Sequence, residues 1–296
     1  MEEKSLIDRK TLRRKLAIRA IIYCTFGILV VMLSSLIGIK YAEIDNRKRI
    51  AEYNATQNKI EEEAKVEQEE KKPLPVYSED AKERIANIYI ADSDEKIAYL
   101  TFDDGPSKNI TPQILEILER EGIKATFFVL GSRVELYPEL LKQEYEAGHY
   151  IANHSYSHDY KSVYASAEAV LDEFNRSEKA IQEALDNPDY HTHLFRFPGG
   201  SEGGKYKNVK NDAKSLLEEN DIAYINWNAL TRDAEGKPTA ESLIEDLQAT
   251  VGDKKRVVVL MHDTGSKQLT ADTLPEVIEI LRNEGFEFKN FYDIMK

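Results

Sequence analysis

Residues 97–130 read IAYLTFDDGPSKNITPQILEILEREGIKATFFVL. An apolar run (IAYLTF, 97–102) leads into a polar turn, a helical pattern over 111–120 and a second apolar run (KATFFVL, 124–130). A strand, a helix and another strand in succession form the unit of a parallel sheet, because parallel neighbours need a crossover connection. The alternation continues. Further strand-like runs are HYIAN (149–153), HLFRF (193–197), IAYINW (222–227), RVVVLMH (256–262) and a weaker FEFKN (286–290). Helical patterns lie between them over 134–147, 166–185, 208–220, 240–251 and 274–283. Seven or so such units in about 200 residues predict an α/β fold, a distorted (β/α) barrel. An open doubly wound sheet is the alternative. No glycine-rich phosphate loop follows a strand, so a nucleotide site has no anchor.

The amino-terminal part reads differently. Residues 20–39, AIIYCTFGILVVMLSSLIGI, carry no charge, and twenty residues span a hydrocarbon core of roughly 30 Å as a helix. Residues 1–19 hold seven Lys/Arg against three acids, which keeps that end in the cytoplasm and sends the rest out. A cleaved signal peptide and a buried core helix are the rival readings. The run is long for the first and lacks a small-x-small cleavage site at its end. Residues 40–75 are rich in Glu, Lys and Gln, too polar for a core, and suit a charged stalk that Pro73 and Pro75 terminate. Residues 76–94 form a lead-in segment with a short helix at 80–86 and an edge strand, and 95–296 the main folded domain.

A formal net charge of −13 argues against nucleic acid as a partner. The single cysteine, Cys24, excludes an intramolecular disulfide and any Cys-rich zinc site. Four polar clusters then end predicted strands, on the face where parallel α/β folds carry active sites. Asp103-Asp104-Gly105 puts two carboxylates side by side, which repel unless a cation or base takes up the charge; an acidic turn is the plain alternative. His154 and His158 are four apart, so on a helical turn they share a face and can grip one metal ion; two exposed histidines in a loop are the alternative. Arg196, inside an apolar strand, needs a carboxylate partner, and the Pro198-Gly199-Gly200 turn exposes backbone N–H groups able to hold an oxyanion. The run 257–261 delivers His262 to a cleft, unless it is a satisfied core histidine. His191 and His193 lack a carboxylate partner and read as surface residues.

TFDDG, HSYSH, RFPGG and VVLMHD, in that order, resemble the signature motifs of the polysaccharide deacetylases, the NodB-like domain of carbohydrate esterase family four. The likeness covers about residues 95–296 and extends to GHYIANHSYSH, in which His149 reads as structural. The resemblance implies a distorted (β/α) barrel and a hydrolase acting on carbon–nitrogen bonds other than peptide bonds. It implies Asp104, His154 and His158 as ligands of zinc, or of another divalent metal such as cobalt or manganese. Asp103 would be the general base, Arg196 its ion-pair partner and His262 the general acid. The Gly199 N–H would bind the oxyanion, and Leu260 and Trp227 would line the acetyl pocket.

One departure stands out. The family carries a segment resembling W-x-x-D-T-x-D-W, where an aspartate tunes the acid histidine. Here residues 227–234 read WNALTRDA: Asp233 survives and is the catalytic residue expected to orient His262, with the polar Asn228 as the alternative. The expected activity is removal of N-acetyl groups from N-acetylglucosamine residues of a cell-envelope polysaccharide, peptidoglycan foremost, by a membrane-anchored extracytoplasmic enzyme. An exopolysaccharide or O-acetylated glycan is the alternative substrate, and a non-catalytic glycan-binding protein the alternative class.

Overall fold

The computed structural model describes residues 74–91 and 93–295, with scattered helical positions between 27 and 57. The chain divides into two units, 1–72 and 73–296. Most of the expected membrane span, the basic segment before it and most of the stalk lie outside the described residues. Among the described residues no helix is long and apolar enough to cross a membrane.

The second unit is built on eight strands: β1 (Lys96–Asp103), β2 (Thr126–Val129), β3 (Tyr150–Asn153), β4 (Leu194–Phe195), β5 (Ala223–Tyr224), β6 (Ala229–Leu230), β7 (Arg256–His262) and β8 (Phe286–Lys289). Every pairing is parallel, in the order β5-β4-β3-β2-β1-β7-β6. β1 is shared on one side: β8 pairs with Lys96–Tyr99 and β2 with Thr101–Asp103. The helices are α1 (Glu79–Ala86), α2 (Thr111–Glu121), α3 (Gly131–Leu136), α4 (Pro138–Glu146), α5 (Tyr160–Val163), α6 (Ala167–Leu185), α7 (Lys207–Glu219), α8 (Ala240–Val251) and α9 (Gln268–Asn283).

The two edge strands follow one another in the chain. Ile225 N–H donates to Phe195 O at 3.0 Å, on the β4 side, and Asn228 N–H donates to Val258 O at 3.2 Å, on the β7 side. Three residue steps span at most about 11 Å. The sheet therefore curls until its edges face each other across a seam at 225–228, which is the half-barrel geometry and excludes the open doubly wound sheet.

Side chains alternate between the faces of a strand. Ala98, Leu100 and Phe102 join Phe127, Val129, Ile151, Val257, Val259 and Met261 in the core under the helices. Ile97, Tyr99, Phe128, Tyr150, Ala152, Leu194 and Val258 point into the curl, where Ala81 and Ile85 of α1 and Phe291, Ile294 and Met295 plug its lower end. The lead-in segment thus supplies a plug, with no strand among its described residues: α1 starts at Ser78, whose side chain accepts from Ala81 N–H.

Other expectations change in detail. The helix expected over 134–147 is two, because Pro138 lacks the N–H needed to continue α3 and starts α4 instead. The strand expected over 222–227 is cut to β5 by the seam, with β6 beyond it. α9 begins six residues earlier than expected and carries Pro275 in its interior; its early turns bury Thr270, Ala271 and Thr273.

Candidate metal centre

The inward positions at the upper end of the curl are polar. Thr101 and Asp103 of β1, His154 after β3, Arg196 after β4 and His262 of β7 lie on the face whose lower positions form the plugged core. Asp104, as the next residue, would face away in a continued strand. Its φ of 72° breaks the alternation and returns its carboxylate to the same side.

Asp104, His154 and His158 each bring one ligand atom within 4.8 Å of the others. Asp104 Oδ1 lies 3.6 Å from His154 Nε2 and 3.5 Å from His158 Nε2. Two ligands 2.0–2.1 Å from a common tetrahedral ion stand about 3.4 Å apart, so these spacings suit one small divalent cation. His154 Nδ1–H donates to Arg196 O at 2.7 Å, which leaves the Nε2 lone pair facing Asp104. Burial drives the His154 pKa down to about 3, the neutral form a ligand requires. Asp104 Oδ1 is buried and makes no hydrogen bond. An orphaned carboxylate oxygen between two imidazoles fits a cation.

The histidines do not lie on a helical turn. They sit in a loop in which Ser155 and His158 take φ of 74° and 57°. Ser155 N–H donates to Asn153 Oδ1 at 3.0 Å. Glu173 Oε2 accepts from Tyr156 N–H at 3.0 Å and Ser157 N–H at 2.7 Å. Glu173 was missed in the sequence, although its position on the buried stripe of α6 beside Val170, Phe174 and Ser177 was a signal.

Asp103 is 2% exposed and its Oδ1 receives a 2.7 Å hydrogen bond from Arg196 Nη1. Arg196 is wholly buried and also donates to Thr101 Oγ1, Ile225 O and Asn226 O, so its charge and most of its donors are met by β1 and by the seam. Its guanidinium stacks 3.9 Å over the Phe128 ring. Burial pushes the Asp103 carboxyl up, and the charges of Arg196 and His262 oppose that push without cancelling it.

Asp233, not Asn228, orients His262. His262 Nδ1–H donates to Asp233 Oδ1 at 2.8 Å and His262 N–H to Asp233 Oδ2 at 2.8 Å. Thr270 Oγ1, on the early turn of α9, donates to the same Oδ2 at 2.8 Å. Burial pulls the His262 pKa down; the Asp233 hydrogen bond and the carboxylates of Asp233, Asp103 and Asp104 outweigh it and raise the imidazole to about 9. Asn228 instead closes the seam, accepting from Val258 N–H and donating to Arg256 O, both at 2.8 Å.

Gly199 takes φ of 70°. Leu260 belongs to the inward set of β7, and the Trp227 ring packs against Gly200. His149 Nδ1 accepts from Ala125 N–H at 3.0 Å in the core, a structural role. His191 and His193 stand before β4, at the opposite end of the sheet from the ligand cluster. Contrary to expectation, His191 has a carboxylate partner: its Nδ1 lies 3.4 Å from Glu178 Oε1, on the buried side of α6. Asp263, the last residue of VVLMHD, has a structural task. Its backbone O accepts from Ser107 Oγ and its carboxylate from Thr111 Oγ1, and a Cβ on Gly105 would collide with it. Asp263 thereby locks the loop after β1 onto β7. A cavity of about 490 Å³ opens beside Asp104 and His158, with Ser132, Arg133, Asp159 and Thr264 on its walls.

The family model described as polysaccharide deacetylase matches residues 91–217. A peptidoglycan-N-acetylglucosamine deacetylase of Bacillus cereus is 31% identical over 206 residues, 68% of this chain and 71% of that protein. One of Listeria monocytogenes is 32% identical over 205 residues, 69% of this chain but only 40% of that longer protein. A Streptococcus mutans esterase of carbohydrate esterase family four superposes with a TM-score of 0.62 at 27% identity, covering 73% of this chain and 92% of that one.

Proposed function

Because the chain belongs to the polysaccharide deacetylase family, we propose that it hydrolyses N-acetyl groups from N-acetylglucosamine residues of a cell-envelope polysaccharide, peptidoglycan foremost. Asp104, His154 and His158 would hold the divalent cation, zinc or else cobalt or manganese. Residues 20–39 would anchor the domain on the outer side of the membrane; the uncharged run and the basic residues before it support that reading.

Amide hydrolysis needs an activated water, a place for the charge that develops on the carbonyl oxygen, and a proton for the leaving nitrogen. A bound divalent cation supplies Lewis acidity for the first two. Asp103 takes the proton from the attacking water. Its burial suits this work, because a carboxyl pushed up toward the working pH is a stronger base. The Gly199 N–H donates to the carbonyl oxygen as that oxygen becomes negative. As the C–N bond breaks, protonated His262 delivers its proton to the nitrogen, and acetate and a free amine leave. Asp233 keeps His262 charged and in one orientation until then.

The observation that carries the reading is the orphaned Asp104 oxygen between two imidazoles, with a buried base on one side and a carboxylate-backed histidine on the other. The test is acetate release by the full chain, loaded with zinc, cobalt or manganese, from N-acetylglucosamine oligomers and from peptidoglycan. Release from peptidoglycan is expected. Release from another acetylated glycan alone would change the substrate assignment. No release from any of them, with metal bound, would refute the enzymatic reading.

A further inference from the structure

Tyr160 opens α5 two positions after His158. Its ring is held on three sides, with centroids 5.4 Å from His158, 5.8 Å from Tyr164 and 6.5 Å from Tyr206. The side chain is nevertheless 41% exposed. The hydroxyl of neighbouring Tyr164 is committed, donating to Pro198 O at 2.7 Å. Among the described residues the Tyr160 hydroxyl has no hydrogen-bond partner. A Cβ built on Gly199 would meet the Tyr160 oxygen at 2.5 Å. A Cβ sits about 2.5 Å from its own backbone nitrogen, so this phenol oxygen is within about 5 Å of the Gly199 N–H. The missing side chain at Gly199 is what makes room for it.

We propose that the Tyr160 hydroxyl is a second hydrogen-bond donor to the oxyanion, acting as a neutral phenol beside the Gly199 N–H. The inference rests on the deacetylase reading above. A preorganised donor aimed where charge develops is worth more than one recruited from solvent, because it costs no reorganisation during the reaction. Three aromatic neighbours provide that preorganisation, and a free hydroxyl provides the donor. The aromatic contacts also mean that removing the oxygen alone leaves the ring in its place.

The test is Tyr160→Phe in the full, metal-loaded chain, with Tyr160→Ala beside it. Tyr160→Phe is expected to lower kcat on an N-acetylglucosamine oligomer about 10- to 100-fold, with KM within about twofold and metal content unchanged. Acetate, which offers a carboxylate oxygen to the same donors, is expected to bind about fivefold more weakly to Tyr160→Phe in a direct titration. A kcat within twofold of the parent would overturn the proposal. So would a silent Tyr160→Phe with a raised KM in Tyr160→Ala, which would make the ring a stacking platform for sugar. If the parent itself releases no acetate, the deacetylase reading has failed. The acetate titration then still judges the hydroxyl, and equal affinities in parent and Tyr160→Phe would overturn it.

Discussion

Asp233→Asn separates the charge of the Asp233–His262 pair from its shape. Asparagine keeps one acceptor oxygen for the His262 N–H groups and Thr270, so the loop retains a partner, while the negative charge is lost. With Asp233 present the His262 pKa is raised to about 9. Without it the imidazole falls back to about 6.5 or below, because burial alone pulls it down. The general acid works only when protonated. At pH 8 the protonated fraction drops from about nine-tenths to about three-hundredths, a loss of about thirtyfold in kcat. At pH 6 the loss is less than about twofold, so the basic limb of the profile moves down by about two and a half units. Stability follows the same pair. His262 is raised, so its share is present in full below about pH 6.5 and is lost as pH rises through about 9. Asp233 is held below its ordinary value: burial pushes it up, but its bonds to His262 and Thr270 outweigh that, so its share is lost only in acid. Asp233→Asn should therefore cost more at pH 7 than at pH 10, where the His262 share is gone and the Asp233 share remains. The assay is acetate release against pH, paired with urea unfolding at pH 7 and 10. An unmoved basic limb in a folded variant would refute the assignment of His262 as the acid tuned by Asp233.

His154→Ala should lose bound metal and activity together in metal analysis and turnover assays, whereas Asp103→Asn should keep the metal and lose about 10²- to 10⁴-fold in kcat. Chelation should abolish acetate release, and zinc, cobalt or manganese should restore it. Arg196→Met strands the Asp103 carboxylate in the interior and should cost about 3–5 kcal/mol in urea unfolding; a cost under about 1 kcal/mol would show the pair to be dispensable. Glu173→Ala removes the acceptor shared by Tyr156 and Ser157 and should weaken metal affinity about 10- to 100-fold in a competition titration, with little change in far-UV circular dichroism.

The amino-acid sequence alone determined the succession of strands and helices and the order of the chemical groups, because apolar periodicity and turn residues are local properties. IAYLTF followed by DDG, and VVVLM followed by HD, already put carboxylates and an imidazole at strand ends. The charged stalk and the uncharged run at 20–39 are likewise readings of the sequence. What tertiary structure decided is which groups meet. A period of two would set Asp103 and Asp104 on opposite faces; only the left-handed turn at Asp104 turns both inward. The helical spacing of His154 and His158 arises in a loop clamped by Glu173, a residue 15 positions beyond His158. WNALTRDA keeps an aspartate at Asp233, which favours it, but leaves Asn228 as a rival. The seam decides between them, because the curl that brings one edge of the sheet to the other occupies Asn228 with the β7 backbone and leaves Asp233 above it, against His262. Contacts between distant residues depend on how far the sheet curls, and that is set by the packing of the whole interior.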